Sequence, residues 1–441
     1  LLLAALQWAG YGTASLFLML GAANLVALGL VLKAWGKHGL KDLAMFLFKT
    51  FLRLDVKGME NLPPAGTRAI IAPNHVSFLD AALMHSIMPD FASYAIDTGI
   101  AERWWVKPFL QLAKVHPIDP TKPLSTRHLI NDVKGGDTLV IFPEGRLTTT
   151  GGLMKVYDGT AMIADKADAI VVPVRIDGLE RSHFGYLNRY QTRKSWFPKT
   201  TVTILPPVKL PVDQTLRGKA RRQAAGAALQ DIMVNTAVLT ANLDQTLFSA
   251  LVEAKATRDT GKPAIEDALG AKLSYKKLIL GAQVLGAKIA PLAPEGGAVG
   301  VLLPNAAGVA VTFFALQSIG RVAAMLNFSA GAQNMIYACQ AAKVDVVLTS
   351  RAFVEKAKLG EAVEKLSAVV KIVYLEDVKA QIGTGDKIKG LLQGSKAQAQ
   401  RKPDDPAAIL FTSGSEGTPK GVVLSHKDLL AKEFQCLHRI A

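Results

Sequence analysis

Ala69-Ile70-Ile71-Ala72-Pro73-Asn74-His75-Val76-Ser77-Phe78-Leu79-Asp80 reads as a short apolar strand that runs out into a polar turn carrying a histidine and, five residues on, a carboxylate. Residues five apart on an ideal helix are separated by roughly 140°, so His75 and Asp80 cannot meet on one helical face. A turn has to bring them together, and Pro73-Asn74 before the histidine with Ser77 after it fits a loop entering a helix N-terminus. A neutral imidazole held there is a general base for a poorly acidic hydroxyl. The carboxylate sets its tautomer and stabilises the imidazolium that forms.

The spacing alone is weak evidence, because His85 and Asp90 repeat it ten residues later. Context separates the two pairs. His85 lies in AALMHSIM, which reads as a helix stopped by Pro89, where a partly packed helical histidine is the ordinary expectation. His75 follows a strand, where catalytic groups are commonly displayed. Downstream, the strand Thr138–Phe142 leads into Pro143-Glu144-Gly145-Arg146. Gly145 permits close backbone approach, and Arg146 offers a planar fork of donors suited to a phosphate.

Outward from these motifs the chain alternates strands with helices. Ala69–Ala72, Thr138–Phe142, Ile170–Ile176 and Thr201–Leu205 are strand-like, and Gly218–Val234 is a basic helix that could close the domain, an α/β pattern. A second α/β unit begins near Asn242, with strands at Ala298–Leu303, Val344–Leu348 and Val370–Tyr374. Gly383–Arg401 reads as an exposed loop. Ala407–Phe411 is a strand that runs into Thr412-Ser413-Gly414-Ser415-Glu416-Gly417-Thr418-Pro419-Lys420-Gly421. Three glycines there let backbone N–H groups turn toward phosphates, the hydroxyls add donors and Lys420 adds charge. The Gly-Lys-Ser/Thr ending of a Walker loop is absent.

Leu1–Leu32 holds no Asp, Glu, Lys or Arg, and a bilayer-spanning helix needs about 20 such residues. Gly10-Tyr11-Gly12 breaks the run, so a span is expected near Thr13–Leu32. Lys33, Lys37 and Lys41 then place the remainder on the cytoplasmic side. Lys41–Leu54 is amphipathic and either lies along a membrane surface or packs on the following domain. Arg181–Lys199 carries five basic residues and five aromatics and is either a membrane-facing or an ordinary solvated loop. Trp104-Trp105-Val106-Lys107 is a further contact or core packing. The net charge of +15 over 441 residues points to a polyanionic partner. With neither a zinc-finger spacing nor an RNA-binding aromatic signature, nucleic acid is not expected. Cys339 and Cys436 show no metal-ligand spacing, so no metal site is expected. The chain opens without Met inside an apolar run, as a piece of a longer protein would.

On these motifs the region from about Lys41 to Ala237 resembles the glycerol-phosphate and lysophospholipid acyltransferases. The resemblance implies that His75 and Asp80 are catalytic and that Glu144, Gly145 and Arg146 bind the substrate phosphate. Val171–Arg175 matches the later strand block, and Arg103–Asp119 occupies the acceptor block. Two departures stand out: Glu144-Gly145-Arg146 lacks the usual Thr, and Pro120 replaces a frequent Arg. From about Asp244, Thr412–Gly421 above all resembles the adenylate-forming enzymes. That implies ATP and Mg2+ as requirements of the acyl-activating part, whereas acyl transfer needs no cofactor. Phe142–Gly159 resembles the bacterial fusions of 2-acylglycerophosphoethanolamine acyltransferase with acyl-carrier-protein synthetase. The expected organisation is a transmembrane segment over 1–36, an acyltransferase domain over 37–240 and the first part of an AMP-binding domain over 241–441. The implied partners are a lysophospholipid, an acyl carrier protein or other acyl thioester, and the bilayer, at the bacterial inner membrane with cytoplasmic catalytic domains. A transporter whose cytoplasmic domains serve as a docking platform is the alternative.

Overall fold

The computed structural model describes residues 12–104, 106–118, 123–413 and 419–440. It divides into two compact units, one reaching to Tyr186 and resuming over Ser195–Thr236, the other comprising Leu187–Lys194 and the chain from Ala237.

The first unit is built on a seven-stranded sheet. Its strands are β1 (Asp55–Lys57), β2 (Ala69–Pro73), β3 (Ser93–Asp97), β4 (Lys114–Ile118), β5 (Thr138–Val140), β6 (Ile170–Asp177) and β7 (Thr201–Ile204), in the order β1-β7-β6-β2-β5-β3-β4. Every neighbouring pair is parallel except β6 with β7. Alternate residues of each central strand enter cores on opposite faces. Ile70, Leu139 and Val171 pack with Leu129, Ile163 and Leu229 on one side. Ile71, Val140 and Val172 pack with Leu83 and Met84 on the other. Burial on both faces is why these strands read as unbroken apolar runs. Helix Gly218–Leu239 does close the unit: Ala225, Leu229 and Met233 are buried in the first core, and Arg221 clamps Asp165 through Nε and Nη2, both at 2.8 Å.

Ahead of the sheet the chain is helical from Thr13 to Phe51, kinked at Gly36 (φ 65°, ψ −163°). Among the described residues no helix is long and apolar enough to cross a membrane. The span expected over Thr13–Leu32 is therefore corrected. Within it the Asn24 amide donates to the Leu20 carbonyl at 2.8 Å. Leu1–Tyr11 falls outside the described residues. The basic half past Gly36 packs on the following domain. Met45 and Phe48 pack against the core, while Phe46, Leu47 and Phe51 face outward.

The second unit has a six-stranded sheet of β10 (Ala298–Val301), β11 (Val322–Met325), β12 (Val346–Thr349), β13 (Lys371–Tyr374), β14 (Pro406–Ser413) and β15 (Pro419–Ser425), in the order β13-β12-β10-β11-β14-β15. A two-stranded ribbon, β8 (Ile265–Glu266) with β9 (Lys272–Leu273), precedes it. Two expectations need correction here. The stretch Gly383–Arg401 contains a helix, Thr384–Gln393, begun by Asp386 accepting the Gly383 N–H at 2.9 Å. Its Gly390 is a packing residue rather than a loop signal, since a Cβ there would lie 2.7 Å from Val284. The eight residues Leu187–Lys194 leave the loop Arg181–Lys199 to join the second unit. There Arg193 N–H and the Thr192 hydroxyl both donate to the Thr257 carbonyl, at 2.9 and 3.1 Å.

Candidate active site

His75 emerges two residues beyond the end of β2, and Phe142–Arg146 follows β5, so both motifs lie at the C-terminal ends of neighbouring parallel strands. In α/β sheets that edge is where ligands bind. Asn74 fixes the exit. Its amide donates to the Ile176 carbonyl (3.0 Å) while its oxygen accepts the Ile176 N–H (2.7 Å), continuing the β2–β6 ladder with a side chain. The chain then turns, and a helix starts at Asp80.

The turn brings the predicted pair together. His75 Nδ1 lies 2.8 Å from Asp80 Oδ2, and that same oxygen accepts the Val76 and Ser77 N–H groups at 2.6 and 2.8 Å. The imidazole side chain is 22% exposed and the carboxylate fully buried, with Oδ1 lacking any partner. Burial pushes the Asp80 carboxyl above its usual range, against the lowering pull of His75 and the two amides. With Nδ1 engaged by the carboxylate, Nε2 is the nitrogen left to take a proton.

Three contacts from the stretch after β5 hold the histidine. Its ring stacks on Phe142 with centroids 4.3 Å apart. The His75 N–H donates to Glu144 Oε1 at 2.8 Å, and the His75 carbonyl accepts the Thr148 N–H at 2.9 Å. Glu144 Oε2 accepts the Met154 N–H at 2.7 Å. Both carboxylate oxygens of this buried residue are thus committed to backbone amides, and Glu144 braces the site instead of facing a phosphate. Gly145 adopts a left-handed conformation (φ 59°), and Arg146 is exposed beside it. Arg175, on β6, is near enough to pull Glu144 and Glu180 downward, although burial holds both up to about 7. Asn74, Thr148, Met154 and Arg175 were not singled out from the sequence as site residues. The one prior signal was the Asn immediately preceding His75.

The second His/Asp spacing goes elsewhere. His85 sits inside helix Asp80–Ile87 and packs edge-on against Tyr94 at 5.7 Å. Asp90 is held by Lys41 Nζ at 2.6 Å and by His38 at 2.9 Å. In the acceptor block, Lys114–Ile118 forms β4, and the Pro120 departure lies outside the described residues.

Glu144 supports a pH prediction. Its carboxyl holds a proton more tightly folded (about 7) than at its ordinary value of 4.5. Ionising it therefore costs folded stability as pH rises through that window. Removing it with Glu144→Ala leaves two buried N–H groups unpaired, at roughly 1–3 kcal/mol each. The loss of melting temperature on Glu144→Ala should be larger at pH 5 than at pH 8. A loss that grows with pH would mean that the carboxylate is favoured in this setting.

In the second unit the candidate nucleotide stretch is flanked by two antiparallel strands. β14 and β15 pair antiparallel, with Thr412 opposite Lys420, Ser413 opposite Pro419 and Phe411 opposite Gly421. Gly414, Ser415, Glu416, Gly417 and Thr418 lie outside the described residues. Lys420 and Thr412 are exposed. Among the described residues no group of His, Cys, Asp and Glu is placed to hold a metal ion.

Residues 53–177 match the family Acyltransferase, and residues 252–440 match the family AMP-binding enzyme. The chain carries an acyltransferase domain and an AMP-binding domain. The chain is 28% identical over 132 residues to a chloroplastic 1-acyl-sn-glycerol-3-phosphate acyltransferase of Arabidopsis thaliana, covering 29% of this chain and 37% of that protein. A counterpart from Brassica napus is 29% identical over the same length, covering 29% and 38%. It is also 32% identical over 147 residues to 4-coumarate--CoA ligase 2 of Oryza sativa subsp. japonica, covering 31% of this chain and 26% of the ligase. The chain spans between 26% and 38% of the length of these relatives.

Proposed function

We propose that the acyltransferase domain moves a fatty acyl group from an acyl thioester to the free hydroxyl of a lysophospholipid, and that the AMP-binding domain belongs to an acyl-activating unit that makes such thioesters. The observation that carries the first part is the His75–Asp80 pair, seated on Phe142 and Glu144 at the strand-end edge. Nε2 accepts the hydroxyl proton as the oxygen attacks the thioester carbonyl. The tetrahedral intermediate collapses with cleavage of the C–S bond, and the imidazolium returns its proton to the departing thiolate. The buried Asp80 carboxylate stabilises the imidazolium between these steps. Arg146 and Arg175 are the cations available to the acceptor's phosphate.

For the second part, ATP enters as the magnesium complex and is a substrate. Thr412–Gly421 is the proposed phosphate-binding stretch, and the similarity to a coenzyme A ligase supports carboxylate activation. The resemblance of Phe142–Gly159 favours 2-acylglycerophosphoethanolamine as acceptor, acyl carrier protein as donor and the cytoplasmic face of a bacterial inner membrane as the location.

The test is transfer of labelled acyl groups from carrier-protein and coenzyme A thioesters to lysophospholipids of different headgroup. Arg146→Lys should raise KM for the acceptor by about tenfold, because an ammonium cannot reproduce the bidentate fork. An unchanged KM removes Arg146 from the phosphate site.

A further inference from the structure

Beside the His75 loop the first unit exposes a row of aromatic rings, in pairs linked by backbone contacts, from segments far apart in sequence. Phe51, at the end of the amphipathic helix, meets Phe197 with centroids 5.3 Å apart, and the Arg53 guanidinium donates to the Phe197 carbonyl at 3.3 Å. Trp196 stacks on His183 at 4.2 Å. These two stretches are joined by the Ser182–Ser195 bridge, in which the Ser195 N–H donates to the Arg181 carbonyl at 2.9 Å. Phe184 follows, and its carbonyl accepts the Phe78 N–H at 3.0 Å. Phe78 meets Tyr186 edge-on at 5.2 Å. Phe78 lies between His75 and Asp80 in the chain, so the row ends in the catalytic turn itself.

The rings are displayed, not stored. Trp196 is 63%, Tyr186 56% and Phe197 54% exposed. A folded domain leaves such a patch uncovered where it meets something. Its flanks are cationic, with Lys49, Arg53 and Lys199 exposed, while the neighbouring Asp55 has Lys57 at 3.7 Å. Aromatic rings with polar edges, bordered by Lys and Arg, match the headgroup level of an anionic bilayer. The charge complementarity and the direct lead into the His75 turn favour that occupant over a protein.

We propose that this aromatic ridge is the surface by which the acyltransferase domain docks on an anionic phospholipid bilayer, so that an acceptor enters the site from the membrane. The proposal rests on the lysophospholipid reading and goes beyond it by assigning the entry face. Tyr190, also in the loop Arg181–Lys199, is not part of the ridge, since its ring lies under Lys262 of the second unit at 5.0 Å.

The experiment uses the full chain and two readouts. The first is tryptophan quenching by brominated lipid in phosphatidylglycerol vesicles, compared between wild type and Trp196→Phe. The second is kcat/KM for acceptor in those vesicles against a water-soluble short-chain lysophospholipid, for wild type and Trp196→Ser/Phe197→Ser. The expected results are a quenched component that Trp196→Phe lacks, and a loss of about tenfold or more on vesicle acceptor with less than about twofold on the soluble one. Equal losses on both acceptors, no loss on either, or identical quenching in wild type and Trp196→Phe would overturn the proposal. So would a change of oligomeric mass in the double variant, which would make the ridge an interface between copies. If Trp196 is quenched as expected and neither acceptor is acylated by the wild type, the ridge stands and the functional reading falls.

Discussion

Replacing His75 with Ala should cut acyl transfer by roughly 10²–10⁴-fold, the usual loss when a general base is removed, while His85→Ala should leave most of it. The two histidines share a spacing to an aspartate, so spacing alone treats them as rivals. In the fold they differ in every relevant contact. His75 has its Nδ1 on a buried carboxylate, its ring on Phe142 and both backbone ends tied to the loop after β5. His85 is a helical residue against Tyr94, and burial and the nearby Lys41 ammonium both lower its basicity. Single-turnover transfer from a labelled thioester separates the variants directly. Equal losses would mean that the His75–Asp80 geometry does not perform the chemistry.

Asp80→Asn should lose nearly as much, by roughly 10²–10⁴-fold in kcat, with little change in acceptor KM. The reason lies in which oxygen is used. His75 Nδ1, Val76 N–H and Ser77 N–H all converge on Oδ2. An asparagine there is compelled to place its carbonyl at that position, because its amide group would face three donors. The turn and the tautomer are therefore kept, and what disappears is the negative charge that compensates the imidazolium. The amide nitrogen would occupy the place of Oδ1, buried without a partner, so a stability loss of about 1–3 kcal/mol is expected as well. A kcat within tenfold of wild type would show that positioning, and not charge, is what Asp80 contributes. Asp90→Asn is the matched control: it weakens the contacts with Lys41 and His38 and should leave kcat near wild type.

Much of this was legible in the residues because the decisive signals are local. Continuous apolar runs such as Ala69–Ala72 and Ile170–Ile176 identify strands buried on both faces. The turn before Asp80 follows from a helix geometry that cannot join residues five apart. The Gly/Ser/Thr cluster after Ala407–Phe411 announces a phosphate-binding class. Short strands escaped notice where the pattern was thin or polar: β1 is Asp-Val-Lys, and β4 carries Lys, His and Pro. Gly383–Arg401 reads as a loop because composition cannot distinguish a flexible glycine from one that admits a neighbouring helix, as Gly390 does.

Periodicity and spacing within a few residues are enough to establish two α/β units, the His75–Asp80 pair and the Gly/Ser/Thr stretch Thr412–Gly421. Tertiary structure alone decided the rest, because it depends on contacts between segments scores of residues apart. It made Glu144 a brace, 69 residues from the His75 N–H that it holds, and not a phosphate ligand. It committed Asp90 to Lys41, 49 residues away. It detached Leu187–Lys194 from its own loop and set Phe51 against Phe197. No local pattern encodes such pairings, which arise only when the sheet stacks its strand ends side by side.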